Sequence, residues 1–173
     1  EVVVRHARAF IDAHRQAGVA CALKHFPGHG GSLADSHLDM ADVTDTWSSS
    51  ELDPYRQLIS EGAVDAVMTA HVYHRDLDPD HPATLSRSII GDLLRDQLLL
   101  RGVVVSDDMQ MGAVANLYGL EEALHLAVTA GVDLIALANN TLYERDIVPR
   151  SVSAIVGMVE DGRIPRERIE SSC

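Results

Sequence analysis

Hydrophobic and polar positions alternate along this chain in two rhythms. Four short runs are apolar almost without interruption: Val19-Ala20-Cys21-Ala22-Leu23, Val64-Asp65-Ala66-Val67-Met68, Gly102-Val103-Val104-Val105 and Val132-Asp133-Leu134-Ile135-Ala136-Leu137. Runs this short and without strict alternation predict parallel strands covered on both faces. Between them the apolar residues take helical spacing. Val4, Ala7, Phe10, Ile11 and His14 do so before Gly18, and Ser48 with Glu51 reads as a capping box for a helix ending at Gly62. Ile89, Ile90, Leu93, Leu94 and Leu98 form one stripe starting after Ser86; Leu120, Ala123, Leu124, Ala127 and Val128 form another, closed by Gly131. A last helix is predicted from about Pro149 to Glu160, with Gly162 and Pro165 beyond its end. Helix and strand therefore alternate throughout, which predicts an α/β fold with right-handed crossovers.

Two architectures share that rhythm, a small doubly wound sheet and four of the eight units of a (β/α)8 barrel. A whole barrel takes about 250 residues, and this chain has 173. Its first residue, Glu1, already lies inside a helical pattern, so a piece of something longer is expected. Composition narrows the partners. The chain is 46% hydrophobic and 23% charged, the balance of a globular domain, and its formal net charge of -12 disfavours nucleic acid or an anionic membrane as partner. Cys21 and Cys173 stand at opposite ends with no disulfide framework, no apolar run is long enough for a membrane helix, and no secretory signal opens the sequence. The expected compartment is the cytoplasm.

In parallel α/β folds the carboxyl ends of the strands carry the chemistry. The four runs end in Lys24-His25, Thr69-Ala70-His71, Ser106-Asp107-Asp108 and Asn139-Asn140. After the first comes a loop with three glycines, Gly28, Gly30 and Gly31, and three imidazoles, His25, His29 and His37. Asp35 lies two residues from His37, close enough for the carboxylate to hold one tautomer of the ring and raise its basicity. Asp107 follows three valines and Ser106 and should reach the rim from a rigid strand, as nucleophile, metal ligand or helix cap; Asp108 is the better candidate for the cap. His71 and His74, with His25, His37 and Asp107, also invite a zinc reading, although an HxxH spacing without a defined third ligand is common by chance. Trp47, Tyr55 and the few other aromatics do not make a sugar-stacking platform.

Taken together, KHFPGHG (24–30), DSH (35–37), TAH (69–71), PATLS (82–86), GVVVSDDMQMGA (102–113) and AGVDLIALANN (130–140) resemble glycoside hydrolase family 3, in its bacterial β-N-acetylglucosaminidase branch. The resemblance implies a TIM-like (β/α)8 barrel of which residues 1–173 would be one partial catalytic domain, the C-terminal half with strands five to eight. It implies Asp107 as nucleophile, His37 as acid/base with Asp35 orienting it, and Lys24 and His25 on the sugar hydroxyls, with no metal or other cofactor. Retaining hydrolysis requires such a carboxylate and such a proton shuttle, here an imidazole in place of the usual second carboxyl.

The sequence departs from the family pattern in three places. The first four strands and their sugar-binding residues are expected elsewhere. Ala41 stands where the branch commonly has a proline four residues after the acid/base histidine. The chain stops at Cys173, where a last helix would continue.

The resemblance implies a retaining exo-β-N-acetylglucosaminidase acting on cell-wall-derived sugars, weak or inactive as an isolated half barrel, whose open edges and apolar interior would favour self-association. Three other functions stay open from the sequence: a β-N-acetylglucosaminide phosphorylase, since a neutral histidine does not repel phosphate; a metal-dependent barrel hydrolase using His37, His71 and Asp107; and a non-catalytic sugar-binding fragment.

Overall fold

A computed structural model describes residues 1–32, 40–140 and 143–173. Helix α1 (Val2–Gln16) leads, turning Val4 and Ile11 inward against Leu58 and Ala63. The main sheet contains β1 (Ala22–Phe26), β3 (Ala66–Thr69), β5 (Val103–Asp108) and β6 (Leu134–Ala136), all parallel and in the spatial order β1-β3-β5-β6. A doubly wound sheet reverses its order at a switch point. This one advances strand by strand, which is an arc of a barrel-like α/β fold. Helices follow each strand: α2 (Asp53–Ser60) after β1, a π-helical segment Ser88–Gln97 after β3, α3 (Gly112–Tyr118) and α4 (Leu120–Ala130) after β5, and α5 (Ile147–Glu160) with α6 (Arg166–Glu170) after β6. Two short strands, β2 (Ala41–Asp42) and β4 (Val72–Tyr73), pair in parallel as a separate ribbon.

The pleat sends alternate side chains to opposite faces of the sheet. Leu23, Val67 and Val104 share one register row, and Val67 and Val104 are fully buried in the main core with Phe26, Leu85, Ile90 and Leu94. Val103 and Leu134, on the opposite face, remain 43% and 53% exposed. Both β1 and β6 are edge strands of the described sheet. Among the described residues no helix is long and apolar enough to cross a membrane.

Several boundaries differ from the sequence pattern. The first strand starts at Ala22 rather than Val19, because pairing with Ala66 begins there, while Val19 is half exposed in the turn after α1. It consequently contains Lys24 and His25 instead of ending before them. The stripe after Ser86 winds as a π-helix, with Leu98 donating its N–H five residues back to Leu93; spacing alone does not separate that winding from an α-helix. Helix α5 opens at Ile147, two residues before Pro149, since the first turn of a helix has no use for a proline's missing N–H.

An ion-pair knot closes the sheet on the side where β5 and β6 begin. Asp133 accepts from Arg95 Nη2 (2.5 Å), the Val104 N–H (2.9 Å), Arg168 Nη2 (3.1 Å) and the Ser172 hydroxyl (2.7 Å). Burial alone would raise the Asp133 pKa, but the Val104 N–H, the Ser172 hydroxyl and the two guanidinium groups outweigh it and hold the carboxyl below the usual carboxylate range.

Candidate active site

Strand β5 carries the central carboxylate. Val104 and Ser106 turn into the packed side, where Ser106 Oγ accepts the Ala136 N–H at 2.8 Å and holds β6 beside β5. Val103, Val105 and Asp107 alternate with them and so occupy the open face. Asp107 and Asp108 lie inside the strand, not beyond its end. Asp107 Oδ1 accepts the N–H of Asp108 at 2.9 Å, and Oδ2 lies 4.0 Å from His25 Nε2 on β1. That contact reaches from β1 to β5 past the intervening β3.

Asp108 does not cap the following helix. Met111 occupies the N-cap position of α3 without a side-chain bond, and Asp108 Oδ1 accepts instead from Gln110 N (3.1 Å) and Ala138 N (3.0 Å). Asp108 thus ties the exit of β5 to the exit of β6, because a carboxylate there meets two backbone donors from two different loops.

The glycine loop after β1 is held from below by Glu51. Gly30 N donates to Glu51 Oε2 at 3.3 Å, and Gly28 N closes a turn on the His25 carbonyl at 2.9 Å. Gly28 has φ +133, and a Cβ there would lie 2.4 Å from Glu51 Oε2, so any side chain at this position is strained and displaces Glu51. Ser48 does cap its own turn, accepting Ser50 N at 3.4 Å, but Glu51 reaches the glycine loop and does not complete the capping box. Beneath the loop, Tyr55 packs edge-on to Phe26, and burial, reinforced by Glu51, pushes its phenol well above the ordinary value.

Trp47 Nε1 donates to the Pro27 carbonyl at 3.1 Å while its ring meets His74 edge-to-face at 4.8 Å. On its far side the loop re-enters the described structure at Met40 and at Ala41, which is buried and paired with Val72. Asp35 and His37 lie outside the described residues. An open cleft of about 860 Å³ borders β1, lined by Leu23, Lys24, His25, Gly28, Glu51 and Tyr55 among others, and it does not include Asp107.

His71 follows β3 and is completely buried. Its Nε2 lies 2.9 Å from the Asp108 carbonyl, an oxygen that only accepts, so Nε2 carries the hydrogen and is closed to a metal. Among the described residues no group of three or more His, Cys, Asp or Glu side chains is placed to hold an ion. Three residues were read otherwise from sequence: Glu51 as a cap, His71 only as one member of an alternative zinc site, and Trp47 as one of too few aromatics for a sugar platform. The serine-to-glutamate spacing and the HxxH pair drew attention to Glu51 and His71, and no local signal marked Trp47.

The model of the glycosyl hydrolase family 3 N terminal domain matches residues 1–173. The chain belongs to glycosyl hydrolase family 3. A family relative, the beta-hexosaminidase of Tolumonas auensis, is 41% identical over 143 residues, which is 81% of this chain and 42% of that protein. A family 3 β-N-acetylglucosaminidase from Paenibacillus sp. str. FPU-7 superposes with TM-score 0.90 at 40% identity, covering 99% of this chain and 32% of that one. A Zn-bound CbsA from Thermotoga neapolitana superposes with TM-score 0.90 at 36% identity, covering 99% and 38%. The chain therefore spans less than half the length of these family members.

Proposed function

We propose that this chain supplies the nucleophile-bearing part of a retaining exo-β-N-acetylglucosaminidase that removes terminal N-acetylglucosamine from cell-wall-derived glycans in the cytoplasm. The observation that carries the proposal is Asp107, delivered by the valine strand β5 to the open face of the sheet with His25 across from it. Asp107 attacks the anomeric carbon as the glycosidic bond breaks, giving a covalent glycosyl-enzyme, and His37 gives its proton to the departing oxygen. Water then attacks the same carbon, His37 takes the water's proton, and Asp107 is released as carboxylate. Asp35 holds the His37 ring, and Lys24 and His25 bind sugar hydroxyls.

Support comes from the family membership and from relatives named beta-hexosaminidase and β-N-acetylglucosaminidase. The zinc of the Thermotoga neapolitana structure belongs to that protein. Among the described residues of this chain no group of three or more His, Cys, Asp or Glu side chains is placed to hold an ion.

The test is trapping of the full-length protein with a fluorinated N-acetylglucosaminide, followed by peptide mapping. An adduct on Asp107 is expected, and an adduct elsewhere, or none, would overturn the assignment. Running the turnover assay with inorganic phosphate separates hydrolysis from phosphorolysis: free sugar is expected, and sugar 1-phosphate as main product would replace the hydrolase by a phosphorylase.

A further inference from the structure

We propose that His71 is a positioning residue for Asp107, holding the backbone behind the nucleophile through a hydrogen bond from its Nε2–H to the Asp108 carbonyl. This rests on the glycosidase reading above. The bond crosses from the exit of β3 to the exit of β5 at 2.9 Å, and the ring that makes it has no solvent exposure. His71 therefore meets no sugar directly, and it acts through the residue next to the nucleophile.

Among the described residues, Asp108 both donates its N–H to the Asp107 carboxylate and offers its carbonyl to His71. Its N–H fixes Asp107 Oδ1 at 2.9 Å, and its own carboxylate takes Gln110 N and Ala138 N at 3.1 and 3.0 Å. The following N–H, of Met109, binds the Ala136 carbonyl at 3.0 Å. These four restraints come from the β5 and β6 side. His71 supplies the one from β3, so the peptide after Asp108 is fixed from both neighbouring strands.

The tautomer follows from the acceptor: a carbonyl forces the hydrogen onto Nε2, and Nδ1, which has no hydrogen-bond partner among the described residues, is left with a buried lone pair. Burial pushes the ring's pKa down, against the pull of the Asp108 carbonyl and of the Asp107 and Asp108 charges. A neutral donor holds the carbonyl without placing a second cation beside a carboxylate that must stay nucleophilic. The HxxH pattern is thus half explained: His71 is used as a donor and not as a ligand.

Positioning has a kinetic signature. Misplacing a nucleophile by about 1 Å costs on the order of 100-fold in rate. Since both covalent steps pass through Asp107, the loss should appear with activated and unactivated leaving groups alike, whereas loss of a proton donor spares the activated ones.

The experiment compares the full-length protein with His71→Phe and His71→Gln, the glutamine amide offering an N–H near the position of Nε2. His71→Phe should lower kcat and the trapping rate by about 100-fold with KM changed less than about threefold, and His71→Gln should recover most of the loss. Equal losses in both variants, a change confined to KM, or an unchanged trapping rate in His71→Phe would overturn the role. If neither variant folds, the ring 15N shifts of the wild-type protein decide: an Nε2–H tautomer with a slowly exchanging proton supports the bond, and an Nδ1–H tautomer or a protonated ring at neutral pH overturns it. A wild-type protein that forms no adduct at all defeats the glycosidase reading instead, which keeps the two failures apart.

Discussion

His25 Nε2 and Asp107 Oδ2 stand 4.0 Å apart, at the outer limit of an ion pair and charged as one only when the imidazole is protonated. The two residues come from β1 and β5, strands that are not hydrogen-bonded to each other. The curvature of the arc brings their ends together over β3, and this is the geometry a barrel uses to gather a site from separate strands.

Asp107→Asn should abolish the covalent intermediate of the full-length protein, because an amide does not attack the anomeric carbon. Intact-mass measurement after incubation with a fluorinated substrate checks this. Persistent labelling of the variant, or labelling of Asp108, would show that the wrong carboxylate has been chosen.

Replacing His37 should slow substrates with poor leaving groups far more than activated aryl glycosides, and azide should restore turnover by attacking the intermediate without needing a base. Asp35→Ala should show a milder form of the same pattern. A loss equal for all leaving groups would move His37 from proton transfer to substrate binding.

Gly28→Ala should lower both activity and stability, the latter by about 1–3 kcal/mol for a non-glycine residue forced into a disfavoured backbone region, because its Cβ would also strike Glu51 at 2.4 Å. Gly62 provides the control, since it too has a positive φ (+66) but open space around it. Gly62→Ala should therefore reduce stability alone. Thermal unfolding and kcat/KM measured on both variants decide the matter, and a Gly28→Ala protein with unaltered kinetics would mean that Glu51 does not shape the loop.

Asp133→Asn should destabilise the fold by roughly 2–3 kcal/mol near neutral pH, somewhat under the loss typical of a fully buried pair, since Arg95 keeps 28% of its side chain exposed. The Asp133 pKa is lowered on folding, so its contribution is complete above the unfolded value of about 3.9 and disappears as pH falls through the lower folded value. Urea unfolding of the two proteins should accordingly differ at pH 6 and converge as pH falls below the ordinary carboxylate range. A constant difference across that range would remove the ionised carboxylate from the account.

Residues 1–173 expressed alone should associate and turn over little substrate. Val103 and Leu134 are 43% and 53% exposed on the sheet face that carries Asp107, and an uncovered apolar face with open edges favours association. Size exclusion and an aryl N-acetylglucosaminide assay on one preparation check both points. A monodisperse monomer turning over at about 1 per second or faster would show that this arc closes a site by itself.

The four apolar runs and the glycines that end α1, α2 and α4 are local signals, and they specified the alternation of helix and strand because hydrophobic period and chain reversal are properties of a few neighbouring residues. The placement of Asp107 at the end of a strand was legible for the same reason: three valines and a serine leading to a carboxylate have one sensible place in a parallel sheet. Where each strand begins was decided by pairing, so Lys24 and His25 moved inside β1 once Ala22 met Ala66. The partners of Glu51, Asp108 and His71 were decided by tertiary structure alone. Each of these side chains had a plausible local role as cap or ligand, and each instead satisfies a backbone group from a distant segment: Gly30 N, Ala138 N and the Asp108 carbonyl. Local spacing states which groups a side chain could bond, and only the folded chain determines which backbone donors and acceptors would otherwise be left unpaired.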